Sequence, residues 1–363
     1  MLKYFTVQTP NVGMEKRPSS SSTKEPPKKK RDQSPPSSST KEPPKKKAKH
    51  KKVKHREHVL LRPDTYVGQT EQQTQQMWVI TRNGNPEERE VVYSAAMLKI
   101  FDELIQNIAD FKQTVQGTYY DVKNAYVNVA PNGVITVFND GQGIPTHESK
   151  EKDKEGNVLY IPEMIFGVLL SGSNYNDEED RLGGGRNGYG AKLANIFSKQ
   201  FSIETVYADK DGAQSLEVTW RNNMSEKSKA KRTKKSLKRG YTKITFLPDY
   251  GRFGYGGQAT SDGWEVNGRP IFEPRDDEKD DDIIDLFRKR AYDIAGTTAP
   301  NLKAHFSTAP VFERKDEHRI RVEHFHHYCK LFAGDQPLYY LRVHDRLEIG
   351  IFPRTGEDDN SID

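Results

Sequence analysis

A run of glycines that leads into a helix-forming segment constrains the fold of this chain more than any other feature. Residues 183–192 read Gly-Gly-Gly-Arg-Asn-Gly-Tyr-Gly-Ala-Lys, and apolar residues at helical spacing follow as far as Phe197. Glycines let backbone N–H groups approach an anion, and a helix that begins there directs its positive end at the same charge. Lys192 would add a point charge near a terminal phosphate. Taken alone, the run fits a flexible turn equally well, because it lacks the lysine spacing of a Walker-type loop.

A second segment, Ser94 to Phe111, predicts an amphipathic helix, because it lacks proline and glycine and its apolar residues recur three or four positions apart. Glu103, Asn107 and Asp110 are spaced i, i+4 and i+7, so they share one face apart from the apolar stripe. Two interpretations are open for this face. It is a solvated polar surface, or an amide beside acids holds a hydrated magnesium ion while one acid orients water.

A third segment is a β-branched strand that begins at Gly133 and runs into a polar turn, Asn139 to Pro145. The residues Pro131-Asn132-Gly133 predict a hairpin turn after an earlier strand over residues 125–129. An Asn-Asp-Gly turn is usually only a turn. Its position between the polar helix and the glycine run is what gives it significance.

In this order, the three segments resemble the nucleotide-binding motifs of the GHKL ATPase superfamily, which includes gyrase and histidine kinases. Within it they look like the N-terminal ATPase region of eukaryotic-type DNA topoisomerase II, over about residues 56 to 300. The further motifs that carry this resemblance are His58–Gly68, Ile161–Gly167, Ser173–Tyr175 and Gly184–Lys192. The resemblance implies a two-layer α/β (α+β) sandwich, with a mixed, largely antiparallel sheet, helices on one face and the nucleotide between them.

The resemblance also implies roles for the polar helix and the glycine run. Glu103 would be the general base that polarises the attacking water, and Asn107 would coordinate the Mg²⁺ that bridges the phosphates of ATP. Asp110 would complete the same cofactor-binding face. The predicted contacts with ribose and triphosphate, from a lid over about residues 171 to 190 and the helix start, are Gly172, Ser173, Asn174, Gly185, Arg186, Asn187, Gly188, Tyr189, Gly190, Ala191 and Lys192.

The base of the nucleotide has its own predicted contacts on the sheet. By the same resemblance Asn139 would bind the adenine amino group, and Thr242 would contact the base through ordered water. Gly141 and Gly143 would allow the nucleotide to approach. The reaction implied is attack of water on the γ-phosphate, assisted by positioning and charge stabilisation.

Three features depart from the family pattern. Phe111 stands where an asparagine is usual, and Gly172 replaces a serine, which removes a hydroxyl contact. Residues 254–278 are extra material rich in glycine and acids, predicted to form a surface loop because long insertions there cost little. None of these departures changes Glu103 or Lys192.

The resemblance divides the chain into a basic tail (residues 1–56), the ATPase domain (57–300) and an incomplete transducer-like segment (301–363). An N-terminal arm, residues 57–70, is expected to form a dimer contact, and strands are predicted over 337–343 and 347–352. The family's Toprim region and cleavage tyrosine have no counterpart, so the chain alone is not expected to cut DNA. It would act as a homodimer or with a chain that carries those regions, or survive as a diverged copy.

Positive charge is concentrated in the tail, which repeats the segment Ser20–Lys30 at Ser37–Lys47. Residues 1–58 contain 17 Lys and Arg against 5 Asp and Glu, so the tail carries +12 while the whole chain carries +5, which leaves −7 for the remainder. With few apolar residues the tail is expected to be disordered. Pro27 to Arg31 resembles a nuclear import signal, and loose attraction to DNA phosphates is the alternative. A second basic run, Lys227 to Arg239, either contacts DNA or is a solvated hairpin loop.

The remaining signals are mostly negative. The single cysteine, Cys329, excludes an internal disulfide and agrees with a reducing compartment, and no long apolar stretch predicts a membrane span. The spacing of His324, His326, His327 and Cys329 does not match a zinc finger. A further helix with core spacing is predicted from Asp282, ending at Gly296.

Two functions follow from these observations. The preferred one is an ATP-binding and ATP-hydrolysing gate module of a type II DNA topoisomerase in the nucleus. The alternative is a non-catalytic nuclear protein that binds nucleotide and DNA without turnover, because the transducer lysine that reaches the γ-phosphate in the family is missing.

Overall fold

The computed structural model describes residues 54–152, 156–169, 189–274, 280–298, 302–344 and 347–353. Within these residues the helices are α1 His55–Leu61, α2 Ala95–Val115, α3 Ile161–Gly167, α4 Gly190–Ile196, α5 Asp282–Thr298 and α6 Phe325–Ala333, with 3-10 turns at Pro63–Thr65, Tyr250–Phe253 and Asp316–His318. The strands are β1 Gln72–Ile80, β2 Pro86–Ser94, β3 Asn124–Val129, β4 Ile135–Gly141, β5 Glu148–Lys152, β6 Val158–Tyr160, β7 Ser198–Asp209, β8 Gly212–Arg221, β9 Glu226–Lys227, β10 Lys231–Lys235, β11 Gly240–Pro248, β12 Gln258–Ala259, β13 Trp264–Val266, β14 Arg269–Pro270, β15 Lys303–Ser307, β16 Tyr339–His344 and β17 Leu347–Ile351.

The main sheet has eight strands among the described residues, in the order β10-β8-β7-β11-β4-β3-β15, with β9 paired to β8. All pairs are antiparallel except β15 with β3. The predicted hairpin is present, with β3 and β4 on either side of the turn at Gly133, which has φ +79°. The expected fold class, a mixed and largely antiparallel α/β sandwich, is confirmed.

Helices α2 and α5 form the centre of the second layer. The helix predicted from Ser94 begins one residue later, because the Ser94 hydroxyl accepts a hydrogen bond from the Met97 N–H (3.3 Å) and caps it. Phe101 of α2 stacks on Phe287 of α5 with ring centroids 3.9 Å apart. Both aromatic side chains are fully buried, and this contact fixes the apolar face of α2 against α5.

The sequence predicts that helix α5 ends at Gly296, but the helix continues to Thr298. A Cβ atom at position 296 would lie 2.6 Å from Cγ of Tyr328, on α6. The glycine therefore permits close packing of α5 against α6 rather than capping a helix. The Tyr328 hydroxyl donates to Asp293 of α5 at 2.5 Å, which holds the same two helices together.

Where a surface loop is predicted over residues 254–278, the described part forms a small antiparallel sheet of β12, β13 and β14. Trp264 and Phe272 are buried there, with ring centroids 5.7 and 5.5 Å from that of Tyr250. The Tyr250 hydroxyl in turn donates to the Gly133 carbonyl at 2.7 Å. Two aromatic side chains thus anchor this segment to the β3–β4 turn.

Among the described residues after β15, β16 and β17 form a hairpin, close to the two strands predicted over residues 337–343 and 347–352. Tyr339, Leu341 and Ile351 are 71%, 60% and 62% exposed on this hairpin. His324 caps α6, since its Nδ1 accepts from the His327 N–H at 3.1 Å, and burial raises the pKa of the Cys329 thiol to about 11. No helix in the described ranges is long and apolar enough to cross a membrane.

Candidate nucleotide site

Helix α2 presents the predicted polar face at the edge of the core. Glu103 is partly exposed, with 21% of its side chain accessible, Asn107 is exposed and Asp110 is half-buried. The Lys99 ammonium lies 2.5 Å from a Glu103 carboxylate oxygen, one turn earlier on the same helix. This ion pair restricts where the carboxylate points. The arrangement leaves an acid and an amide side by side at the surface of α2.

The first turn of α4 lies directly against this acid. A Cβ atom at position 190 would lie 2.0 Å from Glu103 Oε2 and 2.9 Å from Cδ, so any larger residue would displace the carboxylate. Ala191 and Lys192 follow and are buried, and burial lowers the pKa of the Lys192 ammonium to about 8. The structure therefore brings the start of α4, two residues before Lys192, against Glu103 of α2, although the two segments are far apart in sequence.

The adenine contacts predicted on the sheet are direct neighbours. Asn139 of β4 is paired with Thr242 of β11, and Thr242 is paired with Thr205 of β7. Residues paired directly across antiparallel strands project from the same face, so the three polar side chains form one row. Their exposed fractions are only 7%, 9% and 0%. The Thr205 hydroxyl lies 3.4 Å from that of Thr242 and donates to the Tyr241 carbonyl at 3.0 Å.

The glycines after Asn139 are required by close packing of the protein itself. Gly143 has φ +78°, and a Cβ atom there would lie 2.1 Å from the Val206 carbonyl oxygen. A Cβ atom at Gly141 would lie 3.2 Å from the Phe111 ring, so the unusual aromatic residue on α2 packs against this turn. Asp140 fixes the turn to β3, because its carboxylate accepts from the Lys123 and Asn124 N–H groups at 2.7 and 3.0 Å.

The N-terminal arm packs near the start of α4. Tyr189 has its ring centroid 5.8 Å from that of His55 and 6.0 Å from that of Tyr66. His58 Nδ1 is 3.0 Å from the Tyr66 hydroxyl. The rings of His55, His58 and Tyr66 therefore connect the arm and the residues just before it to Tyr189, which precedes Gly190. A role of this arm in dimer contact stays a prediction.

Several predicted contacts lie outside the described residues: Gly172, Ser173, Asn174, Gly185, Arg186, Asn187 and Gly188. Of the residues that sequence reasoning missed, Lys99 had a readable signal, since a lysine four residues before an acid on a helix is an ion-pair position. Thr205 had none, because its place beside Thr242 depends on strand register. The sequence shows Asp140 only as part of a turn.

This site can hold Mg²⁺ only together with the phosphates of a bound nucleotide. The described residues contain no group of three His, Cys, Asp or Glu side chains that could hold a metal ion. Mg²⁺ usually keeps several waters and takes one or two protein oxygens together with substrate phosphates. The exposed Asn107 amide, one turn from Glu103, can supply one such oxygen.

A polar row on an antiparallel sheet, opposite a helix that carries an acid and an amide one turn apart, defines a GHKL-type ATPase domain. The 43K ATPase domain of gyrase B from Thermus thermophilus shares this fold with a TM-score of 0.50 and 18% identity, over 81% of this chain and 61% of that one. No family model matches the chain.

More similar structures identify the family. The ATPase region of Saccharomyces cerevisiae topoisomerase II superposes with a TM-score of 0.67 at 35% identity, covering 83% of this chain and 70% of that one. The ATPase and transducer domains of DNA topoisomerase II from Balamuthia mandrillaris give 0.68 at 36%, covering 86% and 70%. The chain belongs to the eukaryotic DNA topoisomerase II family, which it matches through the ATPase region.

Full-length relatives are much longer than the matched part. DNA topoisomerase 2 of Penicillium chrysogenum is 40% identical over 266 residues, which cover 72% of this chain and 15% of that protein. A probable DNA topoisomerase 2 of Dictyostelium discoideum is 38% identical over 297 residues, or 81% and 17%. The chain thus spans about a sixth of the length of these relatives.

Proposed function

We propose that this chain binds Mg-ATP and hydrolyses it as the ATPase gate module of a type II DNA topoisomerase. The observation that carries the proposal is the contact of Gly190 with the Glu103 carboxylate. It places a general-base candidate at the start of the helix whose glycine-rich approach suits a triphosphate. The buried pair of Asn139 and Thr242 supplies a separate polar site for the base.

In the proposed reaction, Glu103 accepts a proton from a water molecule as the water oxygen attacks the γ-phosphorus. The bond between the γ-phosphorus and the bridging oxygen breaks, and ADP leaves with that electron pair. Lys99 orients the Glu103 carboxylate, and Lys192 offsets negative charge on the phosphates. Asn107 would help to hold a bound Mg²⁺, which would supply positive charge to offset that of the phosphates.

The remaining members of the site are assigned on the same basis. Asp110 supports the α2 face, Tyr189 and Ala191 flank Gly190, and the residues outside the described ranges would form the lid over the triphosphate. Gly141 and Gly143 keep the turn beside Asn139 compact. We assign the base-binding role to Asn139 and Thr242 because they are paired, buried and polar.

Magnesium-dependent ATP turnover by the purified chain tests the proposal. Glu103→Gln removes the base and should lower turnover about 10²- to 10⁴-fold, while nucleotide binding persists. Glu151→Gln, a substitution of an exposed glutamate on β5, is the control and should leave turnover unchanged. Nucleotide binding with no turnover in the unaltered chain would instead support a non-catalytic binding protein.

We further propose that the chain acts on DNA, with a second subunit, in the nucleus. The contact with DNA agrees with the name of its relatives, DNA topoisomerase 2. The basic repeat tail, with the cluster from Pro27 to Arg31, supports nuclear import. Replacing Lys28, Lys29 and Lys30 by alanine should abolish nuclear accumulation of a fluorescent fusion, and unchanged accumulation would refute that assignment. The mass in solution with a non-hydrolysable ATP analogue, compared with that of the nucleotide-free chain, tests dimer formation.

A further inference from the structure

Strand β10 is an edge of the main sheet among the described residues, and it is strongly basic. Its sequence is Lys-Arg-Thr-Lys-Lys, and all five residues are exposed. In the part of the chain that the structure describes, β10 pairs with β8 alone. The edge therefore presents both unpaired backbone groups and basic side chains to solvent.

Most of the positive charge on this edge has no ion-pair partner among the described residues, although Lys231 lies opposite Glu217 of β8. Residues 227–239 contain eight Lys and Arg and no acid. Three of these cations are engaged: Lys227 with Glu163 at 2.7 Å, Arg232 over the Tyr160 ring, and Arg239 with the Tyr119 and Asp121 carbonyls. The other five have no hydrogen bond or ion pair from their side chains within the described ranges: Lys229, Lys231, Lys234, Lys235 and Lys238.

The spacing of these lysines suits a regular polyanion. Residues of a strand advance about 3.3 Å each and alternate between faces, so Lys231 and Lys235 share one face and Lys234 lies on the other. One strand of duplex DNA also advances about 3.4 Å per phosphate along its axis. From Lys231 to Lys235 the edge is thus about as long as four base steps.

We propose that the β10 edge binds the phosphate backbone of duplex DNA without reading its sequence. The inference deepens the function proposed above, because it assigns a DNA contact to the ATPase domain itself. A protein partner fits less well, since protein interfaces are depleted in lysine and enriched in aromatic residues. The exposed side chains of β10 are four basic residues and one threonine.

Lysines on an edge strand also prevent pairing with the sheets of other chains. The two roles differ in what they predict. If the lysines only prevent aggregation, their removal leaves DNA affinity unchanged and promotes association of the protein. If they contact phosphates, each lysine removed lowers the salt dependence of DNA binding by about 0.9 in log–log slope.

The test is DNA binding by the full chain to a duplex of random sequence, at several salt concentrations and without nucleotide. The triple substitution Lys231→Gln, Lys234→Gln, Lys235→Gln should lower the slope by about 2 to 3. The matched control is Arg82→Gln, Lys303→Gln, Lys330→Gln, which alters three exposed cations elsewhere and changes net charge equally. It should change the slope by less than about 1. The tail is identical in both variants and cannot account for a difference between them.

Replacing the same three residues so that charge is kept, with Lys234→Arg, Lys235→Arg and Lys231→Arg, should restore the slope. Equal changes in the triple variant and the control would overturn the proposal, because only net charge would then matter. Increased light scattering with an unchanged slope would also overturn it in favour of edge protection. If labelled polyglutamate bound as tightly as DNA and the triple variant lost affinity for both equally, the edge would instead be a binding site for an acidic protein.

The assay contains no ATP, so its outcome is independent of catalysis. Glu103→Gln should keep the salt dependence of the unaltered chain. Failure of ATP turnover would leave the DNA result intact, and failure of the DNA result would leave the ATPase assignment intact.

Discussion

Gly190→Ala should inactivate the enzyme while leaving the fold almost unchanged. The added Cβ atom would lie 2.0 Å from Glu103 Oε2, where ordinary contact begins at about 3.4 Å, so the carboxylate must move by more than an ångström. The carboxylate is the far end of a flexible side chain and can turn away. Misplacement of a catalytic group by about 1 Å lowers turnover about 10²-fold.

The stability effect of the same substitution is small. Alanine favours helix by up to about 1 kcal/mol over glycine, and local overpacking costs about 1 to 3 kcal/mol. The two effects oppose each other at the start of α4. We therefore expect a net destabilisation of at most about 2 kcal/mol, measured by urea unfolding.

The assay compares kcat for ATP hydrolysis and nucleotide affinity in Gly190→Ala with those in Gly256→Ala. Gly256 has nothing within 4 Å of the Cβ position, so its substitution should be silent. A loss of kcat with nearly unchanged affinity supports a direct role for the Glu103 carboxylate. Turnover within twofold of that of the Gly256→Ala protein would show that the position of the Glu103 carboxylate does not control hydrolysis.

Three further outcomes are expected. Asn139→Ala should weaken nucleotide binding by about 1 to 2 kcal/mol, whereas Thr136→Val, on the other face of β4, should not. Equal affinities of the two variants in a nucleotide titration would contradict the base-binding role of Asn139. Lys112→Met should lower the free energy of unfolding, measured in urea, by about 3 kcal/mol, because it breaks the buried 2.5 Å ion pair with Asp121. Lys123→Met removes an exposed partner of the same acid and should lower it by less than about 1 kcal/mol. Burial lowers the pKa of Lys192 from 10.5 to about 8. Between these two pH values the unfolded state binds more protons than the folded state, so the stability that depends on this group rises with pH. The melting temperature should therefore change less with pH in Lys192→Met than in the unaltered chain, and parallel curves would contradict the lowered pKa.

The sequence predicts the local elements of this fold well, because their signals are local. Helix α2 has an apolar stripe and a Ser94 cap, and the β3–β4 turn has a glycine with positive φ at its end. The prediction for Gly296 fails for a tertiary reason. A glycine near the end of a helical pattern usually caps it, but here it accommodates Tyr328.

The sequence predicts which residues belong to the site, but not how they are arranged in space. Glu103 and Asn139 follow from motifs, whereas the row with Thr205 depends on the register of three strands. Similarly, the role of Trp264 in anchoring residues 254–274 is visible only once Tyr250 is placed beside it. Long-range packing supplies information that no spacing pattern contains.

A crystal structure with Mg²⁺ and a non-hydrolysable ATP analogue would show directly where the nucleotide binds. We expect adenine to lie against the row of Asn139 and Thr242, the γ-phosphate beside Lys192 and Glu103, and the metal ion within coordination distance of Asn107. Nucleotide bound anywhere else on the molecule, or a γ-phosphate remote from Glu103, would contradict it.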